Sequence, residues 1–405
     1  MVLGPGAQPS TARPPHVRLL QPLRFWPQGA ALPHACAGRC TRFAPPRIRN
    51  LAAAPASGRF IAQIEGLKGQ RTADRDRRRY GYGWYAGAVR FEFYQFRFQF
   101  RAAGSLYFPP YKSGNIVRGA FGDIFRKLVC LPDCDDAKTC EGRATCPYAR
   151  VFEPRAARGE GPSGLADWPR PFVFRASHLD GRAIREGEAF HFDVHIFDVR
   201  DPALPYFVLA FAQLAREGLG PGRGLAELVA VDQLGLSGET IERVFDGERF
   251  HIEKPAAPSA MDLSEAPERV ERVRVRFVTP TEVKTGQRLA ERPEFPILFG
   301  RLRDRISTLR AMYGSGPLEI DFRGMGERAA AVWMTRCELQ WHGVDRRSSR
   351  TGQRHPLGGF VGEAEYEGEL GEFVAYLRLG KWVGVGRQTV WGKGELDLTL
   401  SQPAE

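Results

Sequence analysis

An α+β chain built from two copies of one βαββαβ unit is the fold class this sequence predicts, and three observations carry the prediction. Two glycine-rich segments share one grammar: YFVLAFAQLAREGLGPGRGLAELVAV from Tyr206 and EFVAYLRLGKWVGVGRQTVWGKGELDL from Glu372. Each runs from an apolar-periodic helix through G-x-G-R into an alternating strand. Each is preceded by an apolar strand, a helix and two further strands. A stretch rich in proline and small residues, 249–268, lies between the two sets and reads as a linker.

The elements follow in order. VRFEFYQFRFQFRA from Val89 alternates Phe91, Phe93, Gln95 and Arg97 against Tyr94, Phe96, Phe98 and Phe100, a strand with two distinct faces. After a Pro-Pro-Tyr-Lys-Ser-Gly turn, a helix from about Asn115 to Val129 sets Ile116, Ala120, Phe121, Ile124, Phe125 and Leu128 on one stripe. PFVFRASHL and AFHFDVHIFDV are strands, the first glycine unit supplies a helix, and LAELVAVDQL closes the set. The pattern restarts with the strand ERVRVRFVTPTEV and the helix FPILFGRLRDRISTLRAMYG, whose Leu298, Leu302, Ile306, Leu309 and Met312 keep register. RAAAVWMTRCELQWHGV, where Cys337 is expected in the core, and GGFVGEAEYEGEL are strands, and the second glycine unit ends the chain. That order, twice over, is the split βαβ plan of ferredoxin-like (RRM-like) domains, expected at 89–248 and 269–400.

Net charge is a poor guide to partners here. The chain of 405 residues carries a formal +11, but residues 1–88 hold 14 Lys/Arg against 3 Asp/Glu, which leaves 44 of each (58 − 14 and 47 − 3) for the rest. The body is formally neutral, so any basic surface must come from local clustering. The first 88 residues, rich in Pro, Gly, Ala and Arg, are expected to form a disordered basic extension. Its composition also resembles a transit peptide, and the absence of Met between Met1 and Met261 leaves open a translation start near Val89. No apolar run reaches the roughly 20 residues a membrane helix needs, and the expected compartment is the cytoplasm.

Cys130, Cys134, Cys140 and Cys146 form C-x3-C-x5-C-x5-C directly after the first helix. Four thiolates can close a tetrahedral shell around zinc, and a polar loop studded with Asp133, Asp135, Asp136 and Lys138 has little else to fix its shape. Structural zinc is expected, with an iron–sulfur cluster or unligated thiols as alternatives. Four sulfur ligands would leave no open position for catalysis.

Glycine loops admit close backbone approach and positive φ, which suits a phosphate as well as a tight turn. Gly220, Gly222 and Arg223 in the first loop, and Lys381, Gly384, Gly386, Arg387 and Lys393 around the second, are candidate RNA contacts. So are Arg346, Arg347 and Arg350 in the segment HGVDRRSSRTGQRHPLGGFVG from His342, where guanidinium and hydroxyl groups are dense. Trp341, Trp382 and Trp391 are candidate stacking platforms or core.

Six segments in order resemble one family: RGAFGDIFRKLVC, CPYARVFEP, PYFVLAFAQLAREGLGPGRG, VRVRFVTPTEVK, DRRSSRTGQRHPLGGFVGE and GVGRQTVWGKGEL. Together they are similar to the CRISPR repeat-RNA-processing endoribonucleases of the RAMP (repeat-associated mysterious protein) superfamily. The resemblance implies paired ferredoxin-like folds, binding of CRISPR repeat RNA, and metal-independent cleavage of precursor CRISPR RNA by attack of the ribose 2′-OH. It also implies a catalytic histidine in or just after the first helix, beside tyrosine and lysine. No histidine stands there. Tyr111, Lys112, Arg118 and Lys127 occupy the region, and His355 in the arginine loop is the alternative base. The catalytic candidates are therefore Tyr111, Lys112, Arg118 and His355. His191 and His195 share a strand face and are expected to be solvated or structurally paired. The rival reading is a non-catalytic RAMP subunit that holds guide RNA in a CRISPR effector complex, with effector proteins as partners; a weaker one is a zinc-bearing nucleic-acid adaptor.

Overall fold

A computed structural model describes residues 89–130, 134, 136–137, 139–154, 168–251, 256–266, 269–286, 288–347 and 354–400. The first module comprises β1 (Arg90–Ala102), α1 (Ser113–Val129), β2 (Phe172–Arg175), β3 (Ala189–Ile196), α2 (Leu204–Glu217) and β4 (Ala226–Leu234). The second comprises β5 (Arg272–Thr281), α3 (Phe295–Tyr313), β6 (Trp333–His342), β7 (Gly359–Glu367), α4 (Val374–Val383) and β8 (Leu396–Leu400). The sheet orders are β2-β3-β1-β4, continued at its edge by Thr240–Phe245, and β6-β7-β5-β8, with every pair antiparallel. Both are the ferredoxin-like order, in which the two βαβ halves interleave.

The two-faced sequence of β1 decides how the modules join. Tyr94, Phe96, Phe98 and Phe100 enter the first core beneath α1 and α2, where Phe121, Phe174, Phe207 and Phe211 meet them. Phe91 and Phe93 point the other way and belong to the second core, with Val173, Phe197, Leu302 and Trp382. Further along that second face apolar residues give way to polar ones: Arg97 forms a two-pronged pair with Asp193, and Gln99 donates to Asp232. One strand thus serves two cores because successive side chains alternate sides.

Three expectations are corrected. Within the expected linker, Ser259–Asp262 is a strand that pairs with Arg90–Phe93 and extends the first sheet. The strand expected from Arg328 begins only at Trp333, because Arg328 and Ala329 end a helix, Phe322–Ala329, capped by the Asp321 carboxylate. Cys337 is only half-buried, because β6 is an edge strand with solvent on both sides. The expected extension 1–88 lies outside the described residues.

The modules are also joined through the end of α4. Its last carbonyls have no partners within the helix. Arg175 of β2 donates Nε to the Lys381 carbonyl at 3.1 Å and Nη2 to the Trp382 carbonyl at 3.0 Å. His195 Nδ1 donates to the Trp382 carbonyl at 3.1 Å, and Arg305 of α3 donates Nε to the Val383 carbonyl at 2.9 Å. Trp382 Nε1 returns a bond to Gln95 Oε1 at 2.8 Å. Donors converge where the helix dipole is negative.

Burial, with Arg175 nearby, pulls the His195 pKa from 6.5 to about 3. The unfolded chain binds this proton as pH falls through 6.5, whereas the folded chain does not until about 3. Acidification across that window therefore favours unfolding, and the effect is absent above it. Urea unfolding between pH 7 and 4 should show a smaller stability loss in His195→Gln than in the wild type, and equal slopes would contradict the assignment.

Candidate active site

Where β1 hands over to α1, the chain turns a corner at Tyr111, Lys112 and Ser113. Tyr111 has a left-handed backbone, φ +56°, which a residue with a Cβ adopts only when its surroundings hold it. The start of α1 lacks a capping side chain of its own. Asp180 supplies one from the turn after β2: its Oδ1 accepts the Lys112 N–H at 3.1 Å and the Ser113 N–H at 2.9 Å. From the second module, Lys393 Nζ donates to the Tyr111 carbonyl at 2.8 Å. The Tyr111 ring leans on the His342 imidazole at the end of β6, centroids 4.8 Å apart.

Tyr111, Lys112 and His342 are partly exposed, while Ser113 and Lys393 are buried. Burial, helped by Lys112, lowers the Lys393 pKa to about 8 against the pull of Asp180. Burial likewise raises the Asp180 carboxyl, with the Ser113 and Lys112 hydrogen bonds opposing. The corner therefore presents a phenol, an ammonium and an imidazole above a buried lysine. No local pattern marked His342, since it meets Tyr111 only when the modules pack together.

Other candidates occupy different places. Arg118 is buried, its guanidinium sandwiched between Trp391 at 3.5 Å and Phe152 at 4.2 Å, so it ties α1 to the second glycine loop instead of facing a substrate. In the backbone register His355 lies opposite Arg346, and Arg354 opposite Arg347, in a short hairpin between β6 and β7; Arg350 lies outside the described residues. Lys127 pairs with Asp123 on the exposed side of α1. His191 is stacked on His178, centroids 4.5 Å apart.

The glycines are used mostly by the protein's own backbone. Gly114 on α1 faces Gly392, and a Cβ on it would lie 2.8 Å from the Gly392 Cα. Gly386 has φ +79°, and a Cβ there would lie 2.3 Å from the Glu282 carbonyl oxygen. Gly384 is crowded by Arg175, Gly394 and Thr389, whereas Gly222 faces open space and Gly220 approaches only the Tyr107 carbonyl. Arg387 pairs with the Glu282 carboxylate, and Arg223 caps α2 through the Glu217 carbonyl. Lys381 keeps an exposed side chain, its Nζ 5.7 Å from the Trp382 ring centroid. Of the tryptophans, Trp382 is interface core and Trp341 is 55% exposed, next to His342.

Cys130 ends α1, and its thiol lies beside those of Cys134 and Cys146, while Cys134 also neighbours Cys140. Burial and the neighbouring thiols push Cys130 up to about 12. Cys130 and Cys146 rest on the first core. Arg126 donates to the Cys134 carbonyl at 2.7 Å, and Arg143 to the Ala137 and Glu153 carbonyls at 2.7 and 2.8 Å. Among the described residues, no three metal-binding side chains converge as a ready-made ion site.

Residues 275–396 match the family model of the CRISPR-associated endoribonuclease Cas6, and residues 91–257 match the N-terminal-domain family AF_1859_N. The similarity to Cas6 thus covers the second module. An uncharacterized protein of Archaeoglobus fulgidus is 27% identical over 305 residues, 73% of this chain and 95% of that protein. Similar solved structures include Thermus thermophilus Cas6 (TTHB231), 17% identical, with TM-score 0.43 over 77% of this chain and 100% of that one. The product complex of Cas6 (TTHB231) has TM-score 0.45 at 17% identity, over 76% and 99%. The Cas6 match contains His342, Gly386, Arg387 and Lys393, whereas Tyr111 and Lys112 fall in the other match. The candidate site therefore draws on both halves.

Because the Gly386 contact is internal, Gly386→Val should destabilise the RNA-free protein by about 1–3 kcal/mol. Arg387→Ala, which leaves the buried Glu282 carboxylate without its ion partner, should cost more than the roughly 1 kcal/mol ceiling of an exposed pair. Urea unfolding without RNA measures both, and wild-type stability in Gly386→Val would reverse the reading.

Proposed function

We propose that this protein binds CRISPR repeat RNA and cleaves precursor CRISPR RNA into guides without a catalytic metal. The observation that carries the reading is the Tyr111–His342 contact, which brings a phenol and an imidazole together at the mouth of the corner, next to Lys112. An imidazole is suited to proton transfer near neutral pH. In the proposed reaction His342 takes the proton of a ribose 2′-OH, whose oxygen attacks the adjacent phosphorus in line. The Lys112 ammonium stabilises charge on the phosphorane, and the Tyr111 phenol supplies a proton or hydrogen bond to the departing 5′-oxygen. One P–O bond forms and one breaks, giving a 2′,3′-cyclic phosphate and a 5′-hydroxyl.

Incubation with repeat RNA in EDTA tests the reading, and one discrete cut bearing a cyclic phosphate is expected. His342→Ala should lower the single-turnover rate by about 10²–10⁴-fold with RNA binding retained. His355→Ala should leave it within about threefold of wild type, because general-base loss and loop change differ by orders of magnitude. Tight binding without a cut would favour the guide-holding subunit, and a rate lost in His355→Ala instead would move the base into the arginine hairpin.

The four cysteines are proposed to hold a structural zinc, which would close their string of adjacent thiols into a shell and fix the segment between α1 and β2. What supports this is the C-x3-C-x5-C-x5-C spacing and the neighbouring thiols. Metal analysis of the purified chain should give about one zinc per chain, lost with part of the thermal stability when Cys130 and Cys134 become serine. A metal-free, fully stable protein would refute it.

A further inference from the structure

Lys393 sits between Gly392 and Gly394 and was a candidate RNA contact by its sequence alone. Its side chain is 2% exposed and its Nζ is engaged by the Tyr111 carbonyl, so it does not face a ligand in solvent. We propose that Lys393 is a positioning residue: it locks the Tyr111–Ser113 corner from behind and so lets the glycine loop of the second module set the geometry of cleavage. The inference rests on the function proposed above.

The corner is held from two directions. Asp180 takes its N–H groups, at Lys112 and Ser113, and Lys393 takes its carbonyl, at Tyr111. Those three bonds span consecutive residues, and the first of these is in a left-handed conformation that a tyrosine does not keep unaided. An ammonium–carbonyl bond is charge-assisted and therefore a firm restraint. The Gly114–Gly392 contact brings the backbone around Lys393 against α1, so the lysine is aimed by packing, not by its own flexible stem. Releasing the Tyr111 carbonyl would free the phenol to leave His342, while the exposed surface available to RNA would stay the same.

The full-length chain with Lys393→Met keeps an apolar stem and removes the donor. Single-turnover cleavage at saturating protein should slow by about 10–100-fold, since misplacement of a reacting group by an ångström costs that order. The RNA dissociation constant should stay within about threefold, because no phosphate contact is removed. Lys393→Gln, which retains a donor, should recover part of the rate. In the RNA-free protein, hydrogen exchange at the Lys112 and Ser113 amides should accelerate by about tenfold in Lys393→Met as the corner opens locally. A wild-type cleavage rate with unchanged exchange overturns the proposal, as does weakened RNA binding with an unchanged rate at saturation. If the wild type itself does not cut, the exchange measurement still decides the role of Lys393, and the failure belongs to the proposed reaction.

Discussion

The carbonyl end of α4 is the contact on which the arrangement of the two modules depends. Three side chains from two modules, Arg175, His195 and Arg305, donate to its last three carbonyls, and Trp382 answers with a bond to Gln95. A helix end carries partial negative charge and unpaired acceptors, so burying it against an apolar surface would be costly. Burying it against guanidinium and imidazole donors satisfies both at once. Arg175 is itself buried, and desolvation draws its pKa below the ordinary guanidinium value while Glu395 opposes that shift. An arginine is kept in such a place only where its donors are needed.

From that joint the candidate site follows by continuity of the chain. Gly384 ends α4 with φ +70°, and the loop beyond it passes Gly386, Trp391 and Gly392 before reaching Lys393. Trp391 stacks on Arg118, Gly392 meets Gly114, and Lys393 reaches Tyr111. Each contact joins the second glycine loop to α1 or to the corner before it. The loop is therefore a structural bridge, and Gly392 leaves out a Cβ that would collide with the Gly114 backbone of α1.

Charges away from this region are largely engaged with one another. Arg272 with Glu367 at 2.6 Å, Arg274 with Glu365 at 2.8 Å, and Arg336 with Glu338 at 2.7 Å lace the outer face of the second sheet. Arg97 with Asp193 and Arg243 with Asp232 do the same on the first. Such pairs add little stability where both partners are exposed, and each sets a carboxylate against a cation on its sheet face. That agrees with the formally neutral charge of residues 89–405 and directs attention to Lys112, Lys381 and the arginine hairpin as local sources of positive charge.

The sequence by itself determined the duplicated fold, because helix and strand periodicities, glycine stops and element order are local properties. It also marked Tyr111 and Lys112, which stand in a recognisable turn before α1. It did not show that Gly384, Gly386 and Arg118 pack against the protein itself, since G-x-G-R reads alike whether the loop meets a phosphate or another strand. His342, Asp180 and the buried role of Lys393 were decided only by tertiary structure. His342 and Lys393 belong to the second module, and Asp180 follows β2 in the first. His342 and Lys393 meet Tyr111 because β1 feeds two cores and α4 ends on donors from the opposite module, and Asp180 takes the next two amides; such distant coincidences leave no trace in the spacing of residues along the chain.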